Sequence, residues 1–249
     1  MSALVMIYCV VCVFIAAFVR GYSGFGFSLL AITSMSLALP PAMILPSIFM
    51  MEVAASVSLL PSIWRSVHWR DLALLWLGCL VCTPLGVLVL AGVPAAPMKI
   101  ALGLAVLGAA ALLWSGYQRK TMPTPPETVL TGAVAGFLNG AFGIIIPVIV
   151  FFFNSPAGAA VGRASLIAFF IGSDTMGVLF LGLQGLVAMS DVYRFLMFVP
   201  ALILGQWLGA RRFKSADETA FRRWALLVLA LLAVVTALQG VWSMLPHDQ

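Results

Sequence analysis

Arg20-Gly21-Tyr22-Ser23-Gly24-Phe25-Gly26-Phe27-Ser28 lies in the middle of an otherwise apolar run from Leu4 to Leu39. A charged residue and three glycines make a poor inert anchor at bilayer depth, because Arg there costs about 2.5 to 3.5 kcal/mol on insertion scales and Gly loosens a helix. The stretch predicts an interrupted helix whose cost is recovered by something it holds. A reduced copy, Asn139-Gly140-Ala141-Phe142-Gly143, follows in the second half of the chain.

The surrounding composition decides the class. Of 249 residues, 63% are hydrophobic and only 8% are charged, against about 25% charged for a soluble domain. Mean hydropathy is +1.14. Apolar runs of roughly 20 residues recur almost without pause, so the expectation is an all-α polytopic membrane protein. The net charge of +5 does not point to nucleic acid, since the basic residues are scattered at the ends of apolar runs, where they act as orientation signals. Ser2 to Tyr8 carries no Lys or Arg, and the first helix is expected to be retained rather than cleaved as a signal peptide. The pairs Cys9/Cys12 and Cys79/Cys82 have a spacing that suggests zinc or redox chemistry in a soluble loop. Inside apolar spans they read as small filler, and His68 and His247 lie outside the spans without metal spacing. No cofactor and no metal are expected.

The element order repeats. An interrupted unit is followed by three plain spans, at 42–64, 72–93 and 98–117; a Pro-rich segment, Arg119 to Glu127, serves as linker; and a second interrupted unit, 128–153, precedes spans at 163–187, 192–210 and 224–244. This divides the chain into a first transmembrane repeat, 1–118, a linker, 119–127, and a second repeat, 128–249. Gly21 and Gly24 precede Gly140 and Gly143 by 119 residues, Gly86 precedes Gly205 by the same interval, and Asp71 precedes Asp191 by 120. If each interrupted unit dips in and returns, the basic segments Arg65–Arg70, Arg119–Lys120 and Arg211–Arg223 all face the cytoplasm. If each is one broken span, they do not. The positive-inside rule therefore favours two inverted repeats, each an interrupted or re-entrant helical unit plus three transmembrane helices.

A helix restarting inside the membrane points its positive end, about half a charge, at whatever fills the break, and an anion suits that place. Arg20 offers a planar donor fork, Ser23 and Ser28 offer hydroxyls, and Gly21, Gly24 and Gly26 allow a ligand to approach the backbone beside Phe25. In the second copy, Asn139, Gly140, Phe142 and Gly143 occupy the matching positions. The alternative is structural: glycines for close helix packing, with Arg20 snorkelling to an interface. A phosphate-loop reading fails for want of the preceding strand and the Lys. Glu52 and Asp174 are intramembrane carboxylates suited to proton coupling or to pairing with Arg20 or Arg163. Asp71 and Asp191, at span starts, are read as helix caps.

Two Gly-x-x-Gly interruptions near the starts of two halves, Gly21 to Ser28 and Asn139 to Pro147, give a chain that resembles the sulfite exporter TauE/SafE family, also called the toluene sulfonate uptake permease family. Members often carry further glycines after the motif; this chain has Gly26-Phe27-Ser28 in one copy and Ile144-Ile145-Ile146 in the other. The resemblance implies transport of sulfite, sulfonates or related organosulfur anions across a bacterial inner membrane. With no ATP-binding motif, coupling falls to a proton, another ion or the anion's own gradient. The partners expected are a small anionic substrate, the lipid bilayer and, as an oligomeric option, a second copy in a homodimer. The rival readings are a carboxylate-anion permease and a membrane-embedded enzyme, though the latter lacks a nucleophile-base or His-Glu-x-x-His constellation.

Overall fold

The computed structural model describes residues 2–115, 123–153, 159–212 and 218–244, and is helical throughout, with no strand among the described residues. The helices are α1 (Ala3–Ser23), α2 (Phe27–Met35), α3 (Pro41–Ile63), α4 (Trp69–Gly92), α5 (Ala95–Trp114), α6 (Pro125–Phe142), α7 (Ile146–Phe153), α8 (Ala159–Leu183), α9 (Met189–Arg212) and α10 (Glu218–Trp242). Six of them are long and apolar enough to cross a bilayer. Together with the outward-facing Leu, Val and Trp side chains along them, which water would not tolerate in such numbers, this makes the chain a multi-pass membrane protein.

Sequence accounts for the helix ends. Asp191 Oδ2 accepts from the Ala188 backbone N–H at 2.7 Å, and its Oδ1 accepts from Arg194 Nη2 at 2.6 Å, tying down the start of α9. Asp71 stands at the same place in α4, 2.8 Å from His68 Nδ1. α6 begins at Pro125, inside the segment expected to be linker. Proline at the first helical positions lacks only an N–H that would be unpaired there anyway, so Pro125 and Pro126 start a helix rather than bar one. Residues 119–122 of that segment lie outside the described ones, as do 213–217 of the basic loop.

The helices group into two compact units, each drawing on both halves of the chain. The first comprises residues 1–45, 92–115 and 196–249, hence α1, α2, α5, most of α9 and α10. Here α5 and α10 pack along much of their length. Gly103 lies against the Ala233 carbonyl and the Ala237 methyl, and Gly240 against the Ala96 carbonyl and Ile100. Because 103 meets 233–237 while 240 meets 96–100, the two helices run antiparallel. α1 lies on α9 with even less room, since a methyl group at Gly21, Gly205 or Gly209 would collide with a facing backbone carbonyl.

The second unit comprises residues 46–91 and 116–195, hence most of α3, with α4, α6, α7, α8 and the start of α9. Gly132, Gly136 and Gly140 of α6 interlock with α4 around Leu75, Cys79 and Thr83, and Gly78 and Gly86 of α4 return the contact. Small residues that let backbones approach closely are how helices associate where lipid removes the hydrophobic drive. The same contact occurs in both units. Gly140 meets the Thr83 carbonyl and Val87 N, and Gly21 meets the Gln206 carbonyl and Ala210 N; Gly86 meets the Phe137 carbonyl and Ala141 N, and Gly209 meets the Phe18 carbonyl and Tyr22 N. Gly86 therefore corresponds to Gly209 rather than to Gly205. α9 sits about one helical turn further along its partner than the equal spacing of the glycines suggests.

Candidate functional site

Each unit contains one broken helix. In the first, α1 ends at Ser23 and Gly24 turns left-handed, φ 85°, with its N–H donating to the Arg20 carbonyl at 2.6 Å. Gly26, φ 91°, precedes α2. Both angles belong to the region where a Cβ is strained, so these two glycines make the break. α2 is only nine residues long, about 13 Å, half a hydrocarbon crossing. Its first-turn N–H groups point back toward Gly24 and Gly26.

Arg20 lies one turn before this break and is 2% exposed. A side chain so covered does not reach a headgroup layer, and the snorkelling alternative fails. Ser28, in the first turn of α2, is buried, and its Oγ has no hydrogen-bond partner among the described residues. Phe25 is half-buried beside it. Ser23 closes α1, but its side chain lies outside the described ones. Gly21 faces the Gln206 backbone, so its missing side chain serves the α1·α9 packing.

The carbonyl end of α2 is held from two helices, α1 and α10. Tyr8 Oη donates to Ser34 O at 2.7 Å, Thr236 Oγ1 to Thr33 O at 3.2 Å, and Gln239 Nε2 to Leu37 O at 2.8 Å. Lys99 Nζ donates to Gln239 Oε1 at 3.1 Å from α5. A cation behind the negative end of a short helix complements its dipole. Sequence reasoning missed Lys99, although a lone charge in an apolar span was the signal that singled out Arg20.

In the second unit, Gly143, φ 69°, ends α6 and donates to the Asn139 carbonyl at 2.8 Å. α7 restarts at Ile146. The break itself is apolar: Ile144, Ile145 and Ile146 are buried, with Phe142 beside them. Pro147 stands where the first copy has a hydroxyl at Ser28. Gly140 is packed against Thr83, as Gly21 is against Gln206.

The polar groups of this unit gather one turn before the break. Asn139 Nδ2 donates to Asp174 Oδ1 at 2.8 Å, Ser173 Oγ donates to the same oxygen at 3.3 Å, and all three residues are buried. Thr83 Oγ1 is buried without a hydrogen-bond partner among the described residues and abuts Gly136, one turn along α6 from Asn139. Cys79 lies on that same glycine and donates from Sγ to Gly132 O at 3.1 Å. All four cysteines are free thiols. Glu52 is fully buried in α3. Arg163 is half-buried near the start of α8, and eleven residues of helix put it about 16 Å from Asp174. Ser173 and Thr83 carried no sequence signal beyond being polar in apolar spans. Among the described residues, no three His, Cys, Asp or Glu side chains come together as a metal site.

This arrangement can do two kinds of chemistry. Near the first break lie a buried cation, Arg20, a hydroxyl without a partner among the described residues, Ser28, and the positive end of α2. The second unit holds a buried carboxylate, Asp174, that accepts from the neutral donors Asn139 and Ser173.

Comparison with known proteins identifies the family. The chain is 26% identical over 208 residues, covering 80% of each sequence, to a protein of Cupriavidus necator described as "Probable sulfite/organosulfonate exporter TauE". No solved structure matches it. The profile described as "Sulfite exporter TauE/SafE" matches residues 9–236, which is nearly the whole chain, both broken helices included, and the protein therefore belongs to the sulfite exporter TauE/SafE family.

Proposed function

We propose that the chain is a secondary transporter that moves a small sulfur-containing anion, such as sulfite or a sulfonate, across the bacterial inner membrane by alternating access. It carries its substrate without chemically altering it. The anion sits at the α1–α2 break, held by Arg20, the Ser28 hydroxyl, the Gly24–Gly26 backbone and Phe25. The observation that carries this reading is the coincidence of a buried Arg20, one turn before the break, with a buried Ser28 hydroxyl that has no hydrogen-bond partner among the described residues in the first turn of α2. A buried cation with a nearby unfilled donor stabilises an oxyanion by charge-assisted hydrogen bonds. Asn139, Phe142 and Gly143 form the matching but less polar element, so the two halves share the task unevenly.

The two halves are inverted repeats in this proposal. α5 and α10, the last helix of each half, run antiparallel, as a two-fold axis in the membrane plane requires and an axis along the normal does not. The doubled Gly21/Gly140 contact supports the same relation. Asp174, with Asn139 and Ser173 on its carboxylate, carries the coupling proton, and Glu52 is a further buried carboxylate of the same unit.

The test is counterflow in proteoliposomes with radiolabelled sulfite, taurine, sulfoacetate and acetate. Sulfur oxyanions should exchange, and Arg20→Gln should abolish exchange while Arg163→Gln retains it. Exchange of acetate but of no sulfur anion would favour a carboxylate permease, and exchange undiminished in Arg20→Gln would remove Arg20 from the site.

A further inference from the structure

The end of α3 has features that neither transport nor coupling uses. A cleft of about 410 Å³ opens there, lined by Leu60, Pro61, Ser62, Trp64 and Arg65. Trp64 and Trp69 bracket the α3–α4 turn with ring centroids 4.3 Å apart and planes tilted by 50°. Both rings remain well exposed, at 53% and 37%. Below the cleft, Val57 is also exposed and lies on the same helical stripe as Leu60, Pro61 and Trp64. An apolar track thus climbs α3 toward a pair of indoles, the side chains that seat at the level of lipid headgroups.

The charge at the top of the track is unbalanced. Arg65 and Arg70 are exposed and make no hydrogen bond or ion pair among the described residues. The nearest acid in the turn, Asp71, is engaged by His68 Nδ1 at 2.8 Å. Ser62 Oγ donates to the Leu59 carbonyl at 2.7 Å, so its hydroxyl proton is already committed within α3. Positive charge above an apolar groove, with aromatic rings between, matches a molecule that has one anionic group and a hydrocarbon tail.

We propose that this cleft binds an anionic phospholipid, with the phosphodiester at Arg65 and an acyl chain along Val57, Leu60 and Pro61. A soluble phosphate would use the Arg but gain nothing from the apolar wall, and a zwitterionic lipid would use the wall but bring its own cation to Arg65. Phosphatidylglycerol satisfies both halves of the site. One basic residue at an anionic surface is worth about fivefold in binding.

Native mass spectrometry of the purified full chain in detergent, titrated with phosphatidylglycerol or phosphatidylcholine, tests the site. Wild type should retain phosphatidylglycerol at least fivefold better than phosphatidylcholine. Arg65→Gln should lose about fivefold of that retention, whereas Arg211→Gln, the same charge change on a residue stacked over Trp207, should lose none. Thermal unfolding in phosphatidylcholine micelles checks that Arg65→Gln folds as the wild type does. Equal retention of the two lipids, equal losses in the two variants, or full competition by glycerol 1-phosphate would each overturn the proposal.

Discussion

Asn139 Nδ2 donates to Asp174 Oδ1 at 2.8 Å, joining two fully covered residues that lie 35 positions apart in sequence. Asn139 thus fills, in the second unit, the position that a cation fills in the first. A neutral amide donor, rather than a guanidinium, therefore meets the Asp174 carboxylate at that position.

Removing the donor and removing the acceptor should therefore have different effects. Asn139→Ala leaves a buried carboxylate one hydrogen bond short and should destabilise by about 1.5 to 3 kcal/mol in unfolding from mixed micelles. Asp174→Asn keeps the shape and deletes the charge, so it should fold near wild type while anion uptake ceases to respond to an imposed proton gradient. Gradient-driven uptake persisting in Asp174→Asn would remove it from the coupling role.

The packing glycines make a sharper contrast. A methyl group at Gly21 or Gly140 runs into the Gln206 or Thr83 carbonyl, whereas Gly108 in α5 has open space around it. Backbone carbonyls cannot rotate away, so Gly21→Ala and Gly140→Ala should force helices apart and cost several °C in thermal midpoint. Gly108→Ala should cost nothing and gain a few tenths to 1 kcal/mol from helix propensity. Comparable midpoints for all three would show that the helices separate without penalty.

Gly26 isolates backbone strain from crowding. Its neighbourhood leaves space for a Cβ, with Val19 Cγ1 3.8 Å away, yet φ is 91°. Gly26→Ala should cost about 1 to 2 kcal/mol from the left-handed conformation alone. It should also reduce anion exchange more than stability predicts, because the same strain turns the first N–H groups of α2. A parallel loss, in which exchange falls only with the folded fraction, would confine Gly26 to architecture.

Much of this was legible in residue order. Apolar run lengths located the spans, and Gly24, Gly26 and Gly143 marked both breaks, because few positions other than a left-handed turn need Gly in a row of bulky residues. The roles of Gly21 and Gly140 were not legible, since a glycine that admits a ligand and one that admits a neighbouring helix look alike until the facing backbone is known. The correspondence of Gly86 was misplaced by one turn for a related reason: spacing along one strand of sequence carries no information about how far a helix slides on its partner. Asn139 and Asp174 were each noticed, but their contact joins α6 to α8 and no local pattern encodes it.

The last prediction concerns the clamp on α2. Lys99 Nζ reaches Gln239 Oε1 at 3.1 Å, and Gln239 Nε2 reaches the Leu37 carbonyl at 2.8 Å, so a charge on α5 is relayed through one amide to the far end of the broken helix. Gln239→Leu should free that end and leave Lys99 without its acceptor, while Lys99→Met should leave the Gln239–Leu37 bond in place. If the three groups act as a relay, the double variant should be less harmful than the two single effects added, by about 0.5 to 3 kcal/mol in unfolding free energy. Exchange kinetics give the second readout: a loosened α2 should raise the half-saturating anion concentration of Gln239→Leu more than it lowers the maximal rate, since positioning of the α2 N-terminus governs binding. Strict additivity together with an unchanged half-saturation would reduce the relay to two independent surface contacts.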